Sequence, residues 1–149
     1  MGAEVKRNLG VLPTGTAQNP ARVIIVDDSR TIRGLIRSVL ERDPRLSVVA
    51  EAGSAREARD AINATNPDIM TLDVEMPRMD GITFLRNLMR LRPMPVIMLS
   101  TLTTQGANTT LEALELGAVD FIAKPSFEEL QQDKYSFKDS LIEKVKFAG

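Results

Sequence analysis

Five residues stand where an apolar run meets a polar one, and their types suit phosphorus chemistry. They are Asp27 and Asp28 after Val23–Val26, Asp73 after Ile69–Leu72, Ser100 after Pro95–Leu99, and Lys124 after Ala118–Ala123. Three carboxylates brought close together repel one another, and a bound divalent cation relieves that repulsion. Oxygen ligands favour a hard cation, so Mg²⁺ or Mn²⁺ is the expected metal. A carboxylate beside such an ion can act as a nucleophile toward phosphorus and become an aspartyl phosphate. The incoming phosphoryl group carries charge on its equatorial oxygens. A lysine ammonium and a hydroxyl, here Lys124 and Ser100, would balance that charge together with the metal.

These residues converge only if the runs before them are parallel strands of one sheet. Val23–Val26 is a continuous β-branched run, as expected of a strand covered on both faces. Ser29 then opens a helix with Ile32, Leu35, Ile36, Val39 and Leu40 on one stripe, and Asp43-Pro44 stops it. A second strand lies near 46–50. Ser54-Ala55-Arg56-Glu57 is a capping box that starts a second helix, which ends at Asn66-Pro67. The third strand ends at Asp73. A polar loop with Pro77 leads to Gly81 and a helix carrying Ile82, Leu85, Leu88 and Met89. The fourth strand, Pro95–Leu99, is followed by a helix over 107–116 that Gly117 caps in a left-handed conformation. The fifth strand spans 118–123. Phe137, Leu141 and Val145 mark a last helix. Five strands alternating with five helices give an α/β fold with a parallel sheet and helices on both faces. In such a sheet the carboxyl ends of all strands share one edge, where ligands bind.

Composition narrows the chemistry further. The 149 residues fit one domain, and 43% apolar content supports a core. The chain contains no cysteine and no histidine. Thiol chemistry, a Ser-His-Asp triad, a histidine metal site and a phosphohistidine carrier are therefore all excluded within these residues. Nineteen basic residues against twenty acidic ones leave a net charge of −1, which gives no footprint for nucleic acid or an anionic membrane. Arg86, Arg90 and Arg92 cluster near one helix end and read as a solvated face. No apolar run approaches the roughly 18 residues of a membrane span, and no secretory signal is visible, so a cytoplasmic location is expected. Residues 1–20, with Gly10, Pro13, Gly15 and Pro20, read as a flexible tail, and 21–147 as the folded domain.

Three stretches together make the sequence recognisable. Val26-Asp27-Asp28-Ser29, Leu72-Asp73-Val74-Glu75-Met76-Pro77-Arg78-Met79-Asp80-Gly81 and Ala123-Lys124-Pro125 resemble response-regulator receiver domains in type, order and spacing. The resemblance implies a flavodoxin-like (βα)5 three-layer sandwich with strand order 2-1-3-4-5. It also implies that Asp73 accepts a phosphoryl group from the phosphohistidine of a histidine kinase. Asp27, Asp28, Asp73 and the backbone carbonyl of Glu75 would then hold the metal, with Lys124 and Ser100 on the phosphoryl oxygens. Ser100 and Phe121 would be the switch pair, and the Lys124-Pro125 bond would be cis.

A narrower likeness lies in Met76–Leu85, Arg92–Ser100 and Leu111–Phe121, which are similar to the regulatory domain of chemotaxis protein-glutamate methylesterases. That likeness implies a chemotaxis-type kinase as phosphodonor and a methylesterase domain as output. Such a catalytic domain is absent from this chain, whose lack of histidine rules out the triad. Two alternatives carry different functions. One is a standalone receiver acting as a phosphate sink or shuttle to a separate output protein. The other is an aspartate-nucleophile phosphatase, which would want an aspartate where Glu75 stands. Taken singly, each motif has a plain structural reading: Asp-Asp as a helix cap, Lys-Pro as a turn, Ser100 as a turn residue, Phe121 and the methionines Met76, Met79, Met89, Met94 and Met98 as packing. Their joint placement at successive strand ends favours the site.

Overall fold

The computed structural model describes residues 16–76, 80–100, 104–124 and 135–148. Pro77, Met79, the Pro125 peptide and the side chain of Phe137 lie outside that description. In chain order the elements are β1 (Ala21–Val26), α1 (Arg30–Leu40), β2 (Leu46–Ala52), α2 (Ala55–Thr65), β3 (Ile69–Asp73), α3 (Gly81–Leu91), β4 (Val96–Ser100), α4 (Thr104–Leu116), β5 (Asp120–Ala123) and α5 (Tyr135–Ala148). All strand pairs are parallel, and the order is β2-β1-β3-β4-β5. The expected α/β architecture and strand order are both present.

The strands are buried because both faces of the sheet are covered. One core layer joins Ile24, Val26, Met70, Leu72, Val96 and Met98 to Ile62 of α2, Leu85 and Leu88 of α3 and Ala113 of α4. The other joins Val23, Ile25, Ile69, Ile97, Leu99 and Ile122 to Ile36, Val39 and Leu40 of α1 and Leu141 and Val145 of α5. Alternate residues of each strand thus face opposite layers, the period of two that a strand imposes. Met76, Met94 and Met98 are buried and Met89 packs against the core, as packing residues do.

Helix starts follow the caps that sequence chemistry supplies. Ser29 Oγ accepts from the Ile32 N–H, Ser54 Oγ from the Glu57 N–H, and Asp80 from the Ile82 and Thr83 N–H groups. The Glu57 carboxylate reaches back to the Gly53 N–H at 2.8 Å, one residue before the position a standard capping box would use. Asn66, at φ 49°, closes α2 in the left-handed region.

Several boundaries differ from expectation: β1 begins two residues early, β2 ends two residues late and β4 is shifted by one, and those of α4 and β5 have a local cause. Helix α4 begins three residues early, because Gly106 sits in its first turn, where a glycine interrupts little. Strand β5 begins two residues late. Gly117 (φ 120°) donates to Leu114 O and Ala118 to Ala113 O, a Schellman pairing that takes up the Ala118 N–H for the helix end. The arginines near the end of α3 are partly engaged. Arg86 pairs with Glu112 at 3.7 Å, and Arg92 donates to Asn66 and to Pro67 O.

Candidate functional site

Register brings the chemical residues to one edge. Val26 lies beside Leu72, Asp73 beside Leu99, and Ser100 beside Ala123. The residues that follow β1, β3, β4 and β5 are therefore neighbours, although nearly 100 positions separate Asp27 from Lys124. Ligand oxygens of Asp27, Asp28 and Asp73 all lie within 4.8 Å of one another. Asp27 and Asp73 are buried to 2% and 1% exposure, while Asp28 is exposed. Lys124 Nζ stands 2.8 Å from Asp73 Oδ2. Its own backbone N–H donates to Ser100 O at 2.8 Å, tying β5's end to β4's.

Local turns orient the carboxylates. Asp27 Oδ1 accepts from the Ser29 N–H at 2.9 Å, and Asp73 Oδ1 accepts from the Glu75 N–H at 3.0 Å. Both are Asx turns that fix one oxygen and leave the other facing the cluster. Gly81 makes the second turn possible. A Cβ at this position would come within 2.6 Å of Val74 Cα, so only glycine lets α3 start against the backbone that follows Asp73.

The electrostatics are those of an under-neutralised acidic site. Burial pushes the Asp27 carboxyl up to about 6, and the nearby Asp73 charge adds to the rise, against the Ser29 hydrogen bond and Lys124. Burial pulls the Lys124 ammonium down, but the contact with Asp73 and the charges of Asp27 and Glu75 outweigh it and hold it above its ordinary value. Among the described residues, Asp27 Oδ2 and Asp73 Oδ2 are buried without a well-aligned hydrogen-bond donor, even though Lys124 pairs with Asp73 by charge. Buried carboxylate oxygens left this way call for a cation. An all-oxygen set of three carboxylates fits a hard divalent ion such as Mg²⁺, so the residues present suit the metal that the sequence leads one to expect.

Three residues in or near this site escape sequence reasoning. Thr110 of α4 is 6% exposed, and its Oγ1 lies 2.8 Å from Ser100 Oγ. Arg33 of α1 donates from Nη1 to the Asp27 carbonyl at 2.6 Å and from Nε to Glu51 at 3.2 Å, bracing the Asp27-Asp28 turn. Arg37 reaches the same Glu51 at 2.6 Å. The i, i+4 arginines opposite a strand glutamate were the one available signal for this brace. Phe121 sits on the edge strand at 43% exposure, with Lys144 Nζ 5.5 Å from its ring centroid.

A doubly covered parallel sheet with a carboxylate trio and a lysine at its carboxyl edge defines a receiver module, and comparison with known proteins agrees. Residues 23–133 match the response regulator receiver domain family, and the chain belongs to it. It is 57% identical over 130 residues to a protein-glutamate methylesterase/protein-glutamine glutaminase of Rhizobium johnstonii, covering 87% of this chain and 36% of that protein. The chain thus spans little more than a third of the curated relatives it matches. Among solved structures it resembles the response regulator domain of Thermotoga maritima CheB, with TM-score 0.75 and 38% identity over 87% of this chain and 96% of that one. It also resembles a chain in the complex of the CheA3 P1 domain with CheY6 from R. sphaeroides, with TM-score 0.61 and 37% identity over 80% of this chain and 98% of that one. Among the described residues no helix is long and apolar enough to cross a membrane.

Proposed function

We propose that Asp73 is the phosphoacceptor of a chemotaxis-type two-component system and that its modification regulates a methylesterase output. The observation that carries the reading is the geometry around Asp73, with two further carboxylates within 4.8 Å and an ammonium at 2.8 Å. The donor is a phosphohistidine on a chemotaxis-type histidine kinase. A carboxylate oxygen of Asp73 attacks phosphorus, the P–N bond breaks, and its electron pair leaves with the imidazole. Asp27, Asp28, Asp73 and the Glu75 carbonyl would hold Mg²⁺ or Mn²⁺, which supplies charge neutralisation on the transferring group. The Glu75 N–H orients the nucleophile through its Asp73 Oδ1 bond. Lys124 is already placed beside Asp73 and transfers its contact to a phosphoryl oxygen.

The aspartyl phosphate adds charge and acceptor oxygens at the sheet edge. Ser100 then turns toward the phosphoryl group, and Phe121 moves inward from its exposed position. Leu111 and Val119 are 61% and 52% exposed and, with Phe121, give the α4–β5 face an apolar surface for the output partner. In this reading the partner is a methylesterase domain, supported by the match to methylesterase relatives of which this chain spans little more than a third.

The test is incubation with Mg²⁺ and a small acyl phosphate, read by intact mass beside Asp73→Asn. One hydroxylamine-labile phosphoryl group on the wild type and none on the variant is expected. No adduct on the wild type, together with no response to beryllofluoride, would overturn the reading.

A further inference from the structure

Ser100 is not idle before phosphorylation. It is 4% exposed and, in phase with Val96 and Met98, projects toward the layer that α2, α3 and α4 cover. There its Oγ lies 2.8 Å from Thr110 Oγ1, and Thr110 Oγ1 lies 2.8 Å from the Gly106 carbonyl oxygen. Each hydroxyl has one proton. The carbonyl can only accept, so both contacts are satisfied together only when Thr110 donates to Gly106 and Ser100 donates to Thr110. In that arrangement the Ser100 proton is directed at α4 and is not available to a group on Asp73.

From this competition, and resting on the phosphoacceptor reading above, we infer that Thr110 is a positioning residue that latches Ser100 in the unphosphorylated state and sets how readily the switch turns. The phosphoryl group and Thr110 Oγ1 are rival acceptors for one proton. A ligand shifts a two-state equilibrium only by its difference in affinity for the two states, so whatever stabilises Ser100 on Thr110 is subtracted from the phosphoryl group's advantage. The latch also links the site to α4, since the helix that supplies Thr110 also carries the exposed Leu111 of the output face.

The test uses beryllofluoride with Mg²⁺ as the phosphoryl mimic and measures its half-saturating concentration by a stability shift. Thr110→Val keeps shape and removes the acceptor, and should tighten apparent binding about three- to tenfold, the worth of one hydrogen bond. Thr110→Ala carries the same prediction should valine perturb the helix. Thr110→Ser retains the hydroxyl and should restore the wild-type value. In a Ser100→Ala background Thr110→Val should change nothing, because no proton remains to release. Unchanged or weaker binding by both Thr110→Val and Thr110→Ala would overturn the latch, as would tightening that persists without the Ser100 hydroxyl. No binding to the wild type would instead bring down the phosphoacceptor reading, and this inference with it.

Discussion

Two buried aspartates at opposite ends of the sheet show how the same side chain is used for opposite purposes. Asp43 lies before β2, at the amino edge, and Asp27 follows β1, at the carboxyl edge. Asp43 is saturated. Its Oδ1 accepts from the Arg45 N–H at 2.9 Å and Nε at 3.0 Å, while Oδ2 takes Arg45 Nη2 at 2.9 Å and faces Lys146 of α5 at 3.4 Å. The Arg45 hydrogen bonds hold its carboxyl well below the usual range despite its burial. Asp27 has one N–H, an unpartnered second oxygen and two carboxylate neighbours, and burial raises it to about 6. A carboxylate that only holds a fold together is given every donor it can use. One that the proposed function sets beside a metal ion and a phosphoryl group is left short of them, at a cost in stability.

The largest expected effect tests the metal half of that contrast. Asp27→Asn and Asp28→Asn should each raise the Mg²⁺ concentration needed for phosphorylation by at least on the order of 100-fold, since they remove ligands where even supporting partners are worth 10- to 100-fold. An unchanged Mg²⁺ requirement in both would mean that the acidic cluster is not the ion's site.

The pH dependence follows with opposite signs at the two ends. The folded Asp27 carboxyl, at about 6, lies above its ordinary value near 3.8. Its contribution to stability is therefore fully present below pH ~4 and lost as pH rises through about 6. In EDTA, Asp27→Asn should thus be more stable than wild type at pH 7.5, by about 1–3 kcal/mol, with the gain vanishing near pH 4. Urea unfolding at the two pH values decides this; a variant less stable than wild type at pH 7.5 would show that Asp27 is not under electrostatic stress.

The site end also depends on a close backbone approach. Gly81→Ala would put a methyl against Val74 Cα and carbonyl, which can yield only by moving α3 or the turn after Asp73. A loss of about 1–3 kcal/mol is expected, as for overpacking elsewhere, together with slower phosphorylation by an acyl phosphate. Stability lost with the phosphorylation rate intact would separate the packing role from the site.

Most of this architecture is visible in the sequence because it rests on local rules. Uninterrupted runs such as Val23–Val26 and Ile69–Leu72 can be buried on both faces only inside a covered parallel sheet, and acids at their ends must share an edge. Serine and aspartate caps set the helix starts. What is hidden depends on contacts between elements. Thr110 looks like one polar residue among several on α4, and only the fold puts its hydroxyl against Ser100. Arg33 and Glu51 belong to different elements and read as surface charges. Asp43, beside Pro44, signals a helix stop, and nothing local reveals that Lys146, more than a hundred residues later, completes its shell. The start of β5 was obscured by a competition for one N–H, that of Ala118, which the helix end wins.

The smallest effect expected is at Asp43 itself. Removing its charge leaves Arg45 and Lys146 able to turn to water, since both are partly exposed, so Asp43→Asn should cost only about 1–2 kcal/mol at pH 7. Because the folded carboxyl is depressed, its contribution is present above the unfolded value near 4 and lost as pH falls through the folded one. The gap between variant and wild type should therefore be full at pH 7 and close as the solution is taken below pH ~3, the mirror image of Asp27→Asn. Phosphorylation of Asp73 should be untouched, since the amino edge holds no group that the transfer uses. A variant that unfolds normally but phosphorylates slowly would show that the two ends are coupled through β1 and β2. The division between saturated and under-satisfied carboxylates would then describe one network, not two separate uses of aspartate.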